Sequence, residues 1–275
     1  MVLQVASPAK LNLFLAVGPK DAAGYHPIRT IFQAIGLQDE VTIDLAAEHT
    51  SIRFEGADIP ENNTVSKAMR LMSELCDLPE MGIRIQKNIP SEAGLGGGSS
   101  NAAAIIRTVR HLVPGALGEA DALSVARAVG ADVPFFLVGG RAKGEGYGDV
   151  LSPLPDPKPE WALVVKPPYG NSTAEMYSAL DQLEFPFADF PEDDRLYNDF
   201  ERNACHITDL AERLQVFGAD RAGMTGSGSA VFGLFSSQAA AVIAQGRALE
   251  EGMGLAWTVP LLSRAQSLTI TSIQP

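Results

Sequence analysis

Twelve consecutive residues, Pro90 to Asn101, read P-S-E-A-G-L-G-G-G-S-S-N and gather groups suited to binding an anion. Gly94, Gly96, Gly97 and Gly98 let the backbone turn its N–H groups inward without Cβ obstruction. Ser99, Ser100 and Asn101 favour the opening of a helix, and a helix start adds unpaired amides and about half a positive charge. Together they make a cradle for phosphate. The stretch lacks the Lys of a G-x-x-x-x-G-K-[ST] loop, and Ser99 stands where a G-x-G-x-x-G fingerprint needs its third glycine, so neither of those nucleotide loops is present. Two more places carry reactive groups. Lys10 and Asn12 are spaced to share one face of a strand. Asp132 follows Gly130-Ala131. Read alone, Lys10 is a solvated lysine on an edge strand and Asp132 a turn or cap residue.

These groups need elements to hold them. Ile83, Ile85 and Ile89 interleave with Arg84 and Gln86 as in a strand, and Ile105, Ile106, Val109, Leu112 and Val113 recur at helical spacing, so the cradle joins a strand to a helix. A flexible linker has no reason to lie there. Leu11 to Val17 reads as a strand, Ile28 to Leu37 as an apolar run, and Val41 to Phe54 as two strands around a polar turn. Thr64 to Leu75 is helical after E-N-N-T, and Glu119 to Val129 is a helix closed by Gly130 as a left-handed cap. Tyr25-His26 lies in the turn-rich Gly18 to Pro27 and reads unaided as packing.

Ser152 to Pro159 carries alternate prolines, which make a stiff extended connector and divide the chain into domains 1–152 and 160–275. Beyond it Trp161 to Val165 is a strand, and Asn171-Ser172-Thr173 opens a helix that leads to Tyr177. Glu184 to Asp194 is an acidic surface loop, and Asn198-Asp199-Phe200-Glu201 opens another helix. Arg221 to Phe235 is a second glycine turn running into a strand from Val231. A helix near Gln238 to Glu250 and strands around Leu255 and Leu268 complete an α+β second domain.

With 46% hydrophobic residues in 275, the chain can bury one large core or two ordinary ones. The net charge of -12 argues against nucleic acid or an anionic membrane as partner, so local dipoles must hold any phosphate. Cys76 and Cys205 are far apart and, with only His206 near the second, suggest reduced buried thiols rather than a disulfide or zinc site. The start M-V-L-Q-V-A-S-P-A-K has no basic region ahead of an apolar run, and a cytoplasmic protein is expected.

The cradle resembles the phosphate loop of the GHMP kinase superfamily, P-x-x-x-G-L-G-G-G-S-S. Pro8-Ala9-Lys10-Leu11-Asn12-Leu13, Gly24-Tyr25-His26, Gly130-Ala131-Asp132-Val133-Pro134, Asn198-Asp199-Phe200-Glu201 and Met224-Thr225-Gly226-Ser227-Gly228 follow in the order and approximate spacing of one branch of that superfamily. The resemblance implies a two-domain α+β fold, with a ribosomal-protein-S5-like N-terminal domain and a ferredoxin-like C-terminal domain. It implies a small-molecule kinase using ATP and Mg²⁺, phosphorylating the 2-hydroxyl of 4-diphosphocytidyl-2-C-methyl-D-erythritol, a step of non-mevalonate isoprenoid synthesis. The expected state is a monomer or weak homodimer. By the same resemblance Lys10 and Asp132 are catalytic, and Pro90, Ser91, Glu92, Ala93, Gly94, Leu95, Gly96, Gly97, Gly98, Ser99 and Ser100 bind ATP. Asn12, Tyr25, His26 and Tyr177 bind substrate, with Tyr25 and Tyr177 on opposite sides of a cytosine and His26 at its edge. Metal ligands are not assigned. Glu92 and Ala93 depart from the small residues many relatives carry; a carboxylate there would repel phosphate, so Glu92 is expected to face solvent.

Overall fold

The computed structural model describes residues 1–113 and 115–273. Its organising element is an antiparallel ribbon of β1 (Val2–Val17) and β2 (Ile28–Asp44), in register from Val2↔Asp44 to Val17↔Ile28. Proline cannot donate to a ladder, and the register shifts between Pro8 and Ala9 and again between Asn12 and Phe14. Such irregularities re-aim side chains, and these two bracket Lys10 and Asn12.

Around the ribbon come β3 (Ser51–Glu55), α1 (Thr64–Ser73), β4 (Gly82–Gln86), α2 (Gly97–Leu112), α3 (Glu119–Val129), α4 (Val133–Val138), β5 (Arg141–Glu145) and β6 (Val150–Pro153). The sheet order is β12-β1-β2-β4-β3, with β5 and β6 attached through β2 and β8 through β1. Ile105, Ile106 and Val109 of α2 and Phe135 of α4 pack with Phe32, Val41 and Ile83 of the sheet in one core.

The second half contains β7 (Trp161–Lys166), α5 (Thr173–Leu180), β8 (Tyr197–Asn198), a 3₁₀ turn (Asp199–Asn203), α6 (Cys205–Val216), β9 (Arg221–Met224), β10 (Val231–Phe235), α7 (Gln238–Glu250), β11 (Leu255–Pro260), α8 (Arg264–Ser267) and β12 (Ile270–Ile273). Antiparallel pairing in the order β11-β7-β10-β9 makes a second sheet, ferredoxin-like, with α6 and α7 packed on it. Its central strands are apolar at every inner position because both faces are covered. Leu163, Val165, Val231 and Phe235 face the helices, whereas Ala162, Val164, Phe232 and Leu234 pack against Ala9, Leu11, Leu13 and Ile35 of the first sheet. The period-two alternation thus welds the two sheets together. Each large side chain so buried contributes about 1.5–3 kcal/mol.

Several expectations are corrected here. β1 is an interior strand covered on both faces from Ser7 to Val17, so Lys10 is only 3% exposed rather than solvated at an edge. Gly130 is extended (φ 178°), not a left-handed cap. Asn198 opens a 3₁₀ turn, with its side chain accepting from the Phe200 amide, instead of an α-helix. Leu268 ends α8, which a Ser263–Gln266 capping box starts, and the final strand is Ile270–Ile273, paired with β1 in the first sheet. Cys76 is a half-buried free thiol, and the Cys205 side chain lies outside the described residues. Among the described residues no helix is long and apolar enough to cross a membrane.

Candidate active site

The glycine loop meets α2 two residues earlier than its serines suggest. Gly96, at φ 73°, is the N-cap, and no side chain caps the helix. The first-turn amides are therefore left to a ligand. Ser99 is half-buried beside the cleft, while Ser100 is fully buried and accepts a hydrogen bond from Ser7 Oγ at 3.1 Å. Of the two serines, Ser99 is the one open to a ligand. Glu92 is exposed, as expected, in left-handed backbone (φ 53°). Gly94 permits the closest approach in the region: a Cβ there would stand 2.2 Å from the Thr225 carbonyl oxygen.

Asp39 holds both ends of this loop, which sequence reasoning missed. Its Oδ1 accepts from the amides of Asn88 and Ile89, both at 2.8 Å, just before the loop. Its Oδ2 pairs with Lys87 Nζ and accepts from Asn101 Nδ2 at 2.8 Å, just after it. Asn101 also accepts from Lys87 Nζ at 3.0 Å and donates to Ser7 Oγ at 2.8 Å. The signal was an acid, Asp39, after the apolar run that ends at Leu37, and a lysine, Lys87, directly ahead of the cradle.

Lys10 lies beneath the loop. Its Nζ donates to Asn12 Oδ1 and stands 3.6 Å from Asp132 Oδ2. Burial lowers the Lys10 pKa, and the Asp132 carboxylate partly opposes that. Asp132 makes no capping bond at the start of α4, so its carboxylate is free to face the lysine. Asn12 Nδ2 donates to Thr30 Oγ1 at 2.8 Å, and the Asn12 amide donates to Thr225 Oγ1 at 3.0 Å. Thr225 begins the second glycine turn, which Asn198 secures by donating to the carbonyls of Met224 and Gly226 at 3.0 and 2.9 Å. A Cβ on Gly226 would lie 3.1 Å from Gly94 Cα and 3.3 Å from Lys10 Nζ. Two glycine turns, one from each sheet, thus close over the ammonium group. The cavity in front, about 370 Å³, is lined by Lys10, Asn12, Ser99, Asp132, Tyr147 and Ser227.

A second cavity of about 440 Å³ shares Ala131, Tyr147 and Tyr177 with the first and adds Tyr25, His26 and Asp181. The structure brings Tyr25, His26 and Tyr177 to the wall of this one cavity. Tyr177 is stacked on His26 at 5.1 Å between centroids and meets Phe200 edge-on at 4.9 Å. Its burial there, among apolar neighbours, pushes its pKa up to about 12. Tyr25 is 66% exposed, and its aromatic neighbour is Tyr147 at 5.7 Å. His26 Nδ1 is 2.8 Å from the Gly18 carbonyl oxygen and so carries a proton, while Nε2 faces Asp181 Oδ1 at 3.2 Å. A larger cleft, about 550 Å³, lies behind β1 near Gln4, Gln38 and Gln266 and holds none of the candidate residues. Among the described residues no three His, Cys, Asp or Glu side chains are grouped to hold a metal ion.

A binding loop, a buried lysine facing a carboxylate and a ring-lined pocket form one continuous cleft, and comparison with known proteins agrees with that arrangement. Residues 63–140 match the model of the GHMP kinase N-terminal domain, and residues 205–252 that of the GHMP kinase C-terminal domain. The chain is 33% identical over 259 residues to the 4-diphosphocytidyl-2-C-methyl-D-erythritol kinase of Geobacillus kaustophilus, covering 85% of this chain and 88% of that one. A crystal structure of 4-(cytidine 5'-diphospho)-2C-methyl-D-erythritol kinase superposes with a TM-score of 0.81 at 32% identity, covering 94% of this chain and 98% of that one. A homoserine kinase from Cytophaga hutchinsonii shares the fold, with a TM-score of 0.71 at 18% identity over 98% and 97% of the two chains. The chain is therefore a GHMP kinase and belongs to the 4-diphosphocytidyl-2-C-methyl-D-erythritol kinase family.

Proposed function

We propose that this chain transfers the γ-phosphoryl group of ATP to the 2-hydroxyl of 4-diphosphocytidyl-2-C-methyl-D-erythritol, in non-mevalonate isoprenoid synthesis. The observation that carries the reading is the Lys10–Asp132 pair, set 3.6 Å apart between the glycine loop and the ring-lined pocket. The loop Pro90–Ser100 and the uncapped start of α2 take the phosphates of ATP. Asp132 accepts the proton of the attacking hydroxyl as its oxygen bonds to phosphorus and the bond to ADP breaks. Lys10 offsets the charge that spreads over the transferred group. Asn12 keeps the ammonium group in place and, with Tyr25, His26 and Tyr177, binds the acceptor. Mg²⁺ would be held chiefly by the ATP phosphates, with the Ser99 hydroxyl as an oxygen donor, and would neutralise phosphate charge. The reading treats 1–152 and 160–275 as two lobes, the second lending its last strand to the first, in a monomer or weak homodimer.

Base choice tests the acceptor half. With Nδ1 committed to the Gly18 carbonyl, Nε2 is the ring atom of His26 that can reach the base edge. A hydrogen bond between His26 and the pyrimidine edge tells cytosine from uracil, which differ there as amine and carbonyl. A base reaching Nε2 displaces Asp181, which remains paired with Lys20. Wild-type kcat/KM for the cytidyl substrate is expected to exceed that for its uridyl analogue by about tenfold or more, and His26→Ala to remove most of that gap. Equal use of both bases by the wild type would move the acceptor to a different alcohol.

A further inference from the structure

Tyr147 has no role in the reading above, yet it borders both cavities and is held from both ends. It lies in the turn between β5 and β6, which the Ile28 amide ties to the ribbon by donating to the Gly146 carbonyl at 2.7 Å. Its own amide donates to Asp149 Oδ1 at 3.1 Å, and Asp149 Oδ2 is 2.9 Å from Arg127 Nε of α3. At the other end its hydroxyl donates to Asp21 Oδ2. Asp21 Oδ1 accepts from the amides of Ala23 and Tyr25 at 2.9 and 3.0 Å, so one carboxylate orders both the loop that carries Tyr25 and the Tyr147 ring. The shared bond lowers the Asp21 pKa and raises that of Tyr147, which keeps both groups in the protonation states it needs.

Tyr147 is 43% exposed and Tyr25 66%, so hydrogen bonds, not apolar burial, hold this ring pair at the cavity wall. The stacked His26–Tyr177 pair lines the same cavity. Four rings from three segments enclose a space that suits a flat heterocycle, and Tyr147 also reaches the cavity of the reacting groups. We propose that Tyr147, clasped by Asp21, is a substrate-contacting residue that packs on the pyrimidine nucleoside and sets affinity for the cytidyl diphosphate group. This rests on the reading that the ring-lined cavity takes that group.

The test uses the full-length chain and cytidine 5'-diphosphate as probe, measuring its Kd by calorimetry beside KM and kcat for the cytidyl substrate and for ATP. Tyr147→Ala is expected to raise the Kd for the diphosphate and the KM for the cytidyl substrate about tenfold, with the effect on KM rather than kcat and the KM for ATP within twofold of wild type. Tyr147→Phe keeps the ring and loses the clasp, and a rise of about threefold is expected. Because the two groups share one bond, Tyr147→Phe should add little in an Asp21→Asn background. A wild type that binds the diphosphate while Tyr147→Ala leaves its Kd and the cytidyl KM within twofold overturns this inference and keeps the cytidyl reading. A Tyr147→Ala defect shared equally with ATP also overturns it, since the ring would then act through the fold. A wild type that does not bind the diphosphate overturns both.

Discussion

Asp132→Asn is expected to lower kcat by about a hundredfold or more while the protein melts close to wild type, because the carboxylate acts on the transition state and supports little else. Asp132 makes no helix-capping bond, its side chain is 34% exposed, and the ion pair it forms is with Lys10. Lys10→Met should lose activity to a similar extent with a different effect on stability. Burial lowers the Lys10 pKa, so the folded state binds that proton less tightly than the unfolded state does. The sign follows: the charged lysine opposes folding below its folded pKa, and that cost fades as pH rises toward the unfolded value. Replacing it by an apolar side chain of similar length should therefore leave the melting temperature at neutral pH unchanged or higher while kcat collapses. In the wild type, kcat should fall on the alkaline side sooner than an ordinary lysine would allow. Near-normal turnover in Asp132→Asn would return this residue to the role of a turn residue.

Asp39→Ala is expected to cost roughly 3–5 kcal/mol of stability, the range for removing one partner of a buried ion pair. Asp39 is 2% exposed and Lys87 nearly as buried, so the lysine would be left without compensation. The Asn88 and Ile89 amides would lose their acceptor at the same time. Removing both charges together, as in Asp39→Ala with Lys87→Met, should recover much of the stability. It should not recover the loop anchor, so the KM for ATP should stay raised in the double variant. Denaturant melts and ATP kinetics on the two variants separate these effects. If the KM for ATP returns to wild type along with stability, Asp39 does not act through the loop.

What the sequence made legible follows from the range of the interactions involved. The glycine loop, the helix after it and the strand-like repeats before it are local patterns, α1 and α5 begin where their start signals suggest, and α3 and α7 span the bounds their patterns give. The apolar runs at Val231–Phe235 and Trp161–Val165 signalled strands, but not that alternate residues would join two different cores. The burial of Lys10 depends on that second sheet, so the strand alone pointed to solvent. Asp39, Tyr147 and Asp181 were missed for a related reason. Each gains its partners from residues distant in the chain: Lys87 and Asn101 for Asp39, Asp21 for Tyr147, His26 and Lys20 for Asp181. The neighbours of the Tyr177 ring, His26 and Phe200, are likewise supplied by segments distant in the chain.

The central claim is the identity of the phosphoryl acceptor, and one side-by-side assay addresses it: ATP consumption by the purified chain with 4-diphosphocytidyl-2-C-methyl-D-erythritol, mevalonate or homoserine as acceptor. The account predicts turnover with the cytidyl substrate and little above background with the other two, neither of which offers a ring to the His26–Tyr177 and Tyr25–Tyr147 pairs. Faster ATP consumption with mevalonate or homoserine would contradict it.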